Sequence, residues 1–299
     1  MSKENSWVIL SELEARIKAK IEAVGTPLKD WDIQINYGIK TGFNEAFIID
    51  DAKRKELLKN CPEADAIIRP ILKGRSIKKY VAKVGDFIIL LPCGWTNSNR
   101  GNMDPLEYFK NRYPAIYLHF IEKGSLVSKG KGLFNRDDQG DYWWELRPCA
   151  YLNRFKAEKI IYIDIMTDNE AEGYPFPCFS YSHNQELILN TAYFLSGKPS
   201  DLKFFLAVLN SPIGRFIVKT YVTQLQQRQY RLFQQNVETF PIPSFKEKTK
   251  KELATMIDRL FENKELGKEM IEIENIINRI IFSSYNFSVE EQEAIINFV

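Results

Sequence analysis

Three short polar stretches carry the side chains best suited to reading a nucleic acid. Lys40, Thr41 and Asn44 fall on one, Asn97, Asn99 and Arg100 on a second, and Gln226, Gln227, Arg228 and Arg231 on a third. An arginine can donate two hydrogen bonds to guanine, and an asparagine or glutamine can donate and accept at once on adenine, so these types suit base edges in a major groove. A basic connector, with Arg69, Lys73, Arg75, Lys78 and Lys79, supplies point charges of the kind that contact phosphates and release their counterions. Phosphate contacts would set register while the amide and guanidinium groups discriminate.

Other chemistries find less support. Asp141 with Glu145, or Asp164 with nearby acids, imitates a magnesium-binding carboxylate cluster, yet solvated or capping carboxylates explain such loose spacing better. His119 lies in an aromatic helical pattern and His183 in Ser180-Tyr-Ser-His-Asn184, and neither sits in a nucleophile motif. Gly38-Ile-Lys-Thr-Gly42 lacks the Gly-Lys-Ser/Thr order of a phosphate loop. Cys61, Cys93, Cys149 and Cys178 are widely spaced, without a Cys-x-x-Cys pair, which fits reduced thiols rather than zinc. No catalytic or metal-ligating residue is therefore assigned.

The elements that must position these groups are partly readable. Trp31, Ile33, Ile35 and Tyr37 alternate with polar residues as in a half-buried strand, and Ala46-Phe-Ile-Ile49 reads as a second. Gly38 and Gly42 at the corners predict a hairpin that presents Lys40, Thr41 and Asn44 outward. Ser11-Glu-Leu-Glu14 is a capping box for a helix running to about Gly25, and Ser288-Val-Glu-Glu291 is another. A short charged helix is expected over 51–60, a strand over 86–91 and a surface loop over 92–102. One helix should include Leu106 to Phe120, a flexible Lys/Gly-rich connection 125–140, and strand-like sequence 142–151 and 159–165. Helices are expected over 187–195 and 201–218.

Five blocks in order, Ile67-Ile-Arg-Pro-Ile-Leu-Lys-Gly-Arg-Ser-Ile77, Trp144-Glu-Leu-Arg-Pro-Cys-Ala-Tyr151, Lys159-Ile-Ile-Tyr-Ile-Asp164, Leu209-Asn-Ser-Pro212 and Val237-Glu-Thr-Phe-Pro-Ile-Pro243, carry a resemblance. With the opening stretch from Ile21 through the 36–50 turn, the chain resembles the TaqI-like specificity domain of restriction-modification enzymes. That family fuses a DNA-reading module to an adenine methyltransferase and usually a nuclease. The resemblance implies an α+β target-recognition domain with a helical C-terminal tail, its partners being double-stranded DNA and the methyltransferase and nuclease domains. It implies S-adenosylmethionine and Mg2+ for the full-length enzyme and no cofactor for this chain. The methyltransferase needs an Asn/Asp-Pro-Pro-aromatic motif, and the nearest approach, Asp104-Pro-Leu, lacks the second proline. Neither catalytic unit is thus expected, and the chain reads as either an excised fragment or a separate specificity subunit. The alternatives are a self-sufficient magnesium-dependent endonuclease and a protein-interaction scaffold using the Ile-rich tail.

At 299 residues, 44% hydrophobic and 13% aromatic, the chain can bury a large core. Its 41 basic and 39 acidic residues leave a net charge of only +2, so DNA binding must come from local clustering. The expected divisions are an N-terminal helix and linker over 1–30, a DNA target-recognition domain over 31–245 and a helical region over 246–299. The polar first residues and the lack of a long apolar segment suggest no membrane contact and a cytoplasmic location.

Overall fold

The strand Lys159–Ile163 is apolar on successive positions because both its faces are covered. In the computed structural model, which describes residues 10–125 and 132–298, Ile160 and Tyr162 point into one hydrophobic core and Ile161 into another. Antiparallel neighbours flank this strand, Ala192–Gly197 on one side and Phe179–Ser182 on the other. Ile33–Tyr37 and the short Tyr80–Val81 complete a five-stranded sheet.

Helices bury the first face. Pro199–Leu209 and Pro212–Tyr221 lie against it, and the long helix Glu247–Glu265, the helix Ile271–Phe282 and the last helix Val289–Ile296 close over them. Ile257, Leu260, Ile273 and Ile277 belong to this core, so the Ile-rich tail packs back onto the body. Ile17 and Ile21 of the first helix, Glu12–Val24, enter the same core. The capping boxes at Ser11 and Ser288 both form. Against the second face stands a four-stranded sheet in the order Leu187–Ile188, Ile68–Leu72, Asp86–Ile89, Ile48–Asp50, backed by the helices Asp51–Asn60, Pro105–Arg112 and Pro114–Ser125. Mixed sheets with helices in separate layers make this an α+β fold. Among the described residues no helix is long and apolar enough to cross a membrane.

Several expected elements differ. The 31–50 hairpin does not form: Ile33–Tyr37 pairs in the five-stranded sheet and Ile48–Asp50 in the four-stranded one. Gly38 runs beside residues 188–189 instead of turning, so close that a Cβ there would lie 2.2 Å from the Leu189 carbonyl oxygen. Gly42 alone takes a left-handed φ, 71°, and residues 44–47 coil into one helical turn that buries Ala46 and Phe47. The expected helix over 187–195 is two strands, because residues 190–191 turn the chain and the flanking apolar residues find sheet partners. Pro114 splits the expected 106–120 helix, and Ser211-Pro212 splits the 201–218 one by capping a new helix. Residues 142–151 are turns and irregular chain rather than a strand, apart from one antiparallel bridge between Gln139 and Leu146, and a short helix, Trp95–Asn99, occupies the 92–102 loop. The basic connector begins as the strand Ile68–Leu72. Of the 125–140 connection, residues 126–131 lie outside the described residues.

The rest of that connection is pinned by one buried side chain. Arg136, 4% exposed, donates to five backbone carbonyls: Thr41 at 2.9 Å, Asp138 at 3.1 Å and Leu133 at 2.8 Å, together with Trp143 and Glu145. Its guanidinium also lies 4.7 Å from the Phe47 ring centroid. Burial lowers its pKa to about 10, which leaves it charged at neutral pH. One side chain therefore ties residues 133–145 to the turn at Thr41.

Two tests follow from these buried cations. Arg136→Met leaves those carbonyls without their donor and is expected to cost at least about 3 kcal/mol in chemical denaturation. Lys159, fully buried, donates to the carbonyls of Phe155, Ala157 and Asn184, and burial pushes its pKa from 10.5 to about 8. Between those values the unfolded chain binds a proton that the folded chain does not, so stability should rise with pH across that window. Buried tyrosines and thiols with raised pKa values contribute with the opposite sign, so the Lys159 contribution is read as the difference in denaturation midpoint between wild type and Lys159→Met, which should grow from pH 7.5 to about 10.5.

Candidate nucleic-acid interface

The 133–147 segment brings two of the three candidate loops together. Lys40 Nζ lies 2.9 Å from Asp138 Oδ2, and Arg147 meets the other oxygen of the same carboxylate at 3.2 Å. Asn97 donates to Asp141 at 2.8 Å and accepts from the Tyr142 hydroxyl at 2.8 Å and from Arg100 Nε at 3.1 Å. Beneath them lies an aromatic platform: Tyr142 stacks on Trp144 at 4.8 Å, Trp144 on Phe109 at 5.1 Å, and Trp95 on Tyr113 at 5.5 Å. A rigid base of this kind holds loop side chains at fixed positions, as recognition of base edges requires.

Within these loops the candidates differ in what they have free. Thr41 faces inward, 1% exposed, contrary to its expected outward presentation, because Arg136 holds its carbonyl. Its hydroxyl donates to Asn44 Oδ1 at 2.7 Å and orients that amide. Asn44 is exposed, and its amide N–H groups point away from this bond. Asn99 donates to the Trp95 carbonyl at 2.7 Å, and Arg100 to the Met103 carbonyl at 2.8 Å.

The basic connector is largely engaged within the protein. Arg69 donates to the carbonyls of Asp65, Ala66 and Ile68, closing the C-terminal end of the short helix Pro62–Ala66. Lys73 and Arg75 both pair with Asp86, at 2.7 and 3.1 Å. Burial acts to raise the pKa of that carboxyl, but the two cations outweigh it and hold the value below the ordinary range. Lys79 meets Glu274 of the tail at 2.7 Å. Lys78 is exposed with no carboxylate in ion-pair range among the described residues, and Arg75 keeps a side chain 75% exposed.

The third stretch lies elsewhere. Gln226–Arg228 is a short turn leading into the strand Gln229–Arg231, which pairs with Ile165–Thr167. Gln226 is exposed, Arg231 lies over the Phe233 ring, and Arg228 reaches the buried carboxylate of Asp168.

The groups that imitate catalytic chemistry have structural partners. Cys93, Asp141 and Glu145 bring ligand-type atoms within 4.8 Å of one another. Glu145, fully buried, accepts from the backbone N–H groups of Thr96 at 2.7 Å, Asp141 at 3.0 Å and Gly94 at 3.1 Å, and so caps the helix Trp95–Asn99. Burial and the Asp141 carboxylate raise the Cys93 pKa, which favours the thiol over the thiolate that would bind a metal. His119 Nε2 bonds the Ala46 carbonyl at 2.9 Å, and burial lowers its pKa toward the neutral imidazole.

Sequence reasoning missed the residues that hold the loops. Arg136 and Asp138 sat in a stretch read as flexible from its lysines and glycines, and no local pattern distinguishes a buried arginine from an exposed one. Glu145, by contrast, reads from sequence as a solvated or capping carboxylate and does cap a helix, and its place between Trp144 and Leu146 carries a further signal: a carboxylate inside an apolar run needs buried donors.

The chain is similar to known proteins in sequence and in fold. A Type II methyltransferase, M.MjaIV of Methanocaldococcus jannaschii, is 24% identical over 261 residues, covering 85% of this chain and 79% of the relative. The fold matches the Type IIL restriction-modification enzyme MmeI, solved in complex with DNA, with a TM-score of 0.61 at 12% identity over 91% of this chain. It also matches the type IIG restriction endonuclease BpuSI, with a TM-score of 0.51 at 13% identity over 92% of this chain. The match spans 35% and 33% of those two chains, about a third of each. The sequence model of the TaqI-like C-terminal specificity domain matches residues 69–242, more than half of the chain, and the protein belongs to that family.

Proposed function

We propose that this chain is the sequence-specific, double-stranded DNA recognition module of a restriction-modification enzyme. The observation that carries the reading is the specificity-domain match over residues 69–242. Two polar loops on one rigid aromatic platform support it, since base discrimination depends on side chains held at fixed positions. In this reading Lys78 and Arg75 contact phosphates, while Asn44, Lys40 and the 97–100 loop approach base edges in the major groove. Thr41 acts through Asn44 rather than by contact.

The reaction belongs to the whole enzyme. A target adenine is methylated at N6 from S-adenosylmethionine, and cleavage uses Mg2+, both in domains outside this chain, with this module setting the position of the duplex. Similarity to a Type II methyltransferase supports the link to methylation. In this reading the chain itself makes and breaks no bonds, works in the cytoplasm, and docks on its methyltransferase and nuclease partners. The expected divisions 1–30, 31–245 and 246–299 serve here as anchor, reader and brace.

Duplexes selected from a random pool supply the cognate sequence, and affinity for it and for a scrambled duplex across a salt series tests the reading. Lys78→Ala is expected to weaken both duplexes alike and lower the salt slope by about 1. Asn44→Ala should instead cost about 1–3 kcal/mol of discrimination at one base pair and leave the slope unchanged. A wild-type chain that binds both duplexes equally would contradict the reading. With S-adenosylmethionine and Mg2+ added, the purified chain should neither methylate nor cut the selected duplex, and either activity would make it an enzyme in its own right.

A further inference from the structure

Asp168 is surrounded by more positive charge than it can use. Its carboxylate, 1% exposed, lies 2.6 Å from Lys219 Nζ, 2.9 Å from Arg215 and 3.1 Å from Arg228. Lys219 is 4% exposed and Arg215 22%, and Lys219 is further held among the rings of Phe176, Tyr230 and Phe298. These two cations, one buried and one partly buried, already exceed the single charge of the carboxylate. Arg228 is the third, and its side chain is 51% exposed.

Arg228 also carries backbone strain. Its φ is +57°, in the left-handed region that a residue with a Cβ occupies at a cost in free energy. The conformation is locked from both ends, because the Asp168 N–H donates to the Arg228 carbonyl at 3.0 Å while the guanidinium returns to Asp168 Oδ2. Folding alone would favour glycine at this position. A strained arginine, repelled by two neighbouring cations and half open to solvent, is accounted for by an anion that arrives from outside.

We propose that Arg228, oriented by Asp168 and backed by the charge of Arg215 and Lys219, forms a phosphodiester-binding site at the Gln226–Arg228 turn. This rests on the DNA-recognition reading and moves Arg228 from base edges, where its residue type placed it, to the phosphate backbone. The local charge of three cations against one carboxylate favours an anion over a neutral base, and the Asp168 bond fixes the fork while leaving other guanidinium N–H groups for phosphate oxygens. Asp168 is a positioning residue in this arrangement.

The test compares wild type with Arg228→Gly and Arg228→Lys in the full chain, on a selected duplex and a scrambled one across a salt series, with thermal unfolding of each protein. Arg228→Gly relieves the strained backbone, so its Tm should equal or exceed that of wild type. Its binding should weaken alike on both duplexes, with the salt slope reduced by about 1. Arg228→Lys keeps a point charge and should restore the slope. A change in sequence preference at unchanged slope would overturn the phosphate assignment, as would unchanged binding by Arg228→Gly or a clear drop in its Tm. If wild type binds no duplex at all, the functional reading itself fails, an outcome distinct from a binding protein that is indifferent to Arg228.

Discussion

A single buried guanidinium holds the two candidate loops together. Arg136 satisfies carbonyls on both sides of a turn-rich segment and on the turn at Thr41, so the loops at 40–44 and 94–100 share one support. Glu145 complements it from the same segment, accepting the N–H groups of Gly94 and Thr96 where the chain enters the helix Trp95–Asn99 and that of Asp141 in its own segment. Both side chains are bonded to backbone dipoles in place of water, which offsets the cost of burying them and makes their removal costly. The loops hold only the short helical stretches Asn44–Phe47 and Trp95–Asn99, and this polar scaffold supports them.

The sheet sets the platform for that scaffold. Because Lys159–Ile163 is covered on both faces, the helical layer and the four-stranded layer are joined through one set of strands. The tail adds to the joint, since Lys79 and Tyr80 both bond Glu274 across the first core. Motion of the loops relative to the helical side would have to break this packing, so the protein presents its surface as one body.

The sequence made some of this legible and hid the rest for identifiable reasons. Local signals held: the capping boxes at Ser11 and Ser288, the charged helix Asp51–Asn60, and the apolar strand Lys159–Ile163 all formed where their patterns placed them. Pairing did not, because two runs of alternating residues joined by glycines look like a hairpin whichever strands they join. Gly38 was read as a corner, whereas its lack of a side chain serves a close approach to residues 188–189. Side-chain type foretold which stretches are polar but not which groups are already engaged. Arg69, Lys73 and Lys79 each meet an internal partner distant enough, or local enough, to escape a reading by clusters. Specificity-domain blocks were recognisable because their order along the chain survives even where pairing is unreadable.

The central claim is that duplex DNA contacts the 40–44 and 94–100 loops, which share one support, and also Lys78 and the separate 226–231 turn. Amide hydrogen exchange with and without the selected duplex measures this most directly. Slowed exchange concentrated in those segments and in their support at 133–147 is the predicted result. Slowing confined to the C-terminal helices, with the loops unchanged, would contradict the account.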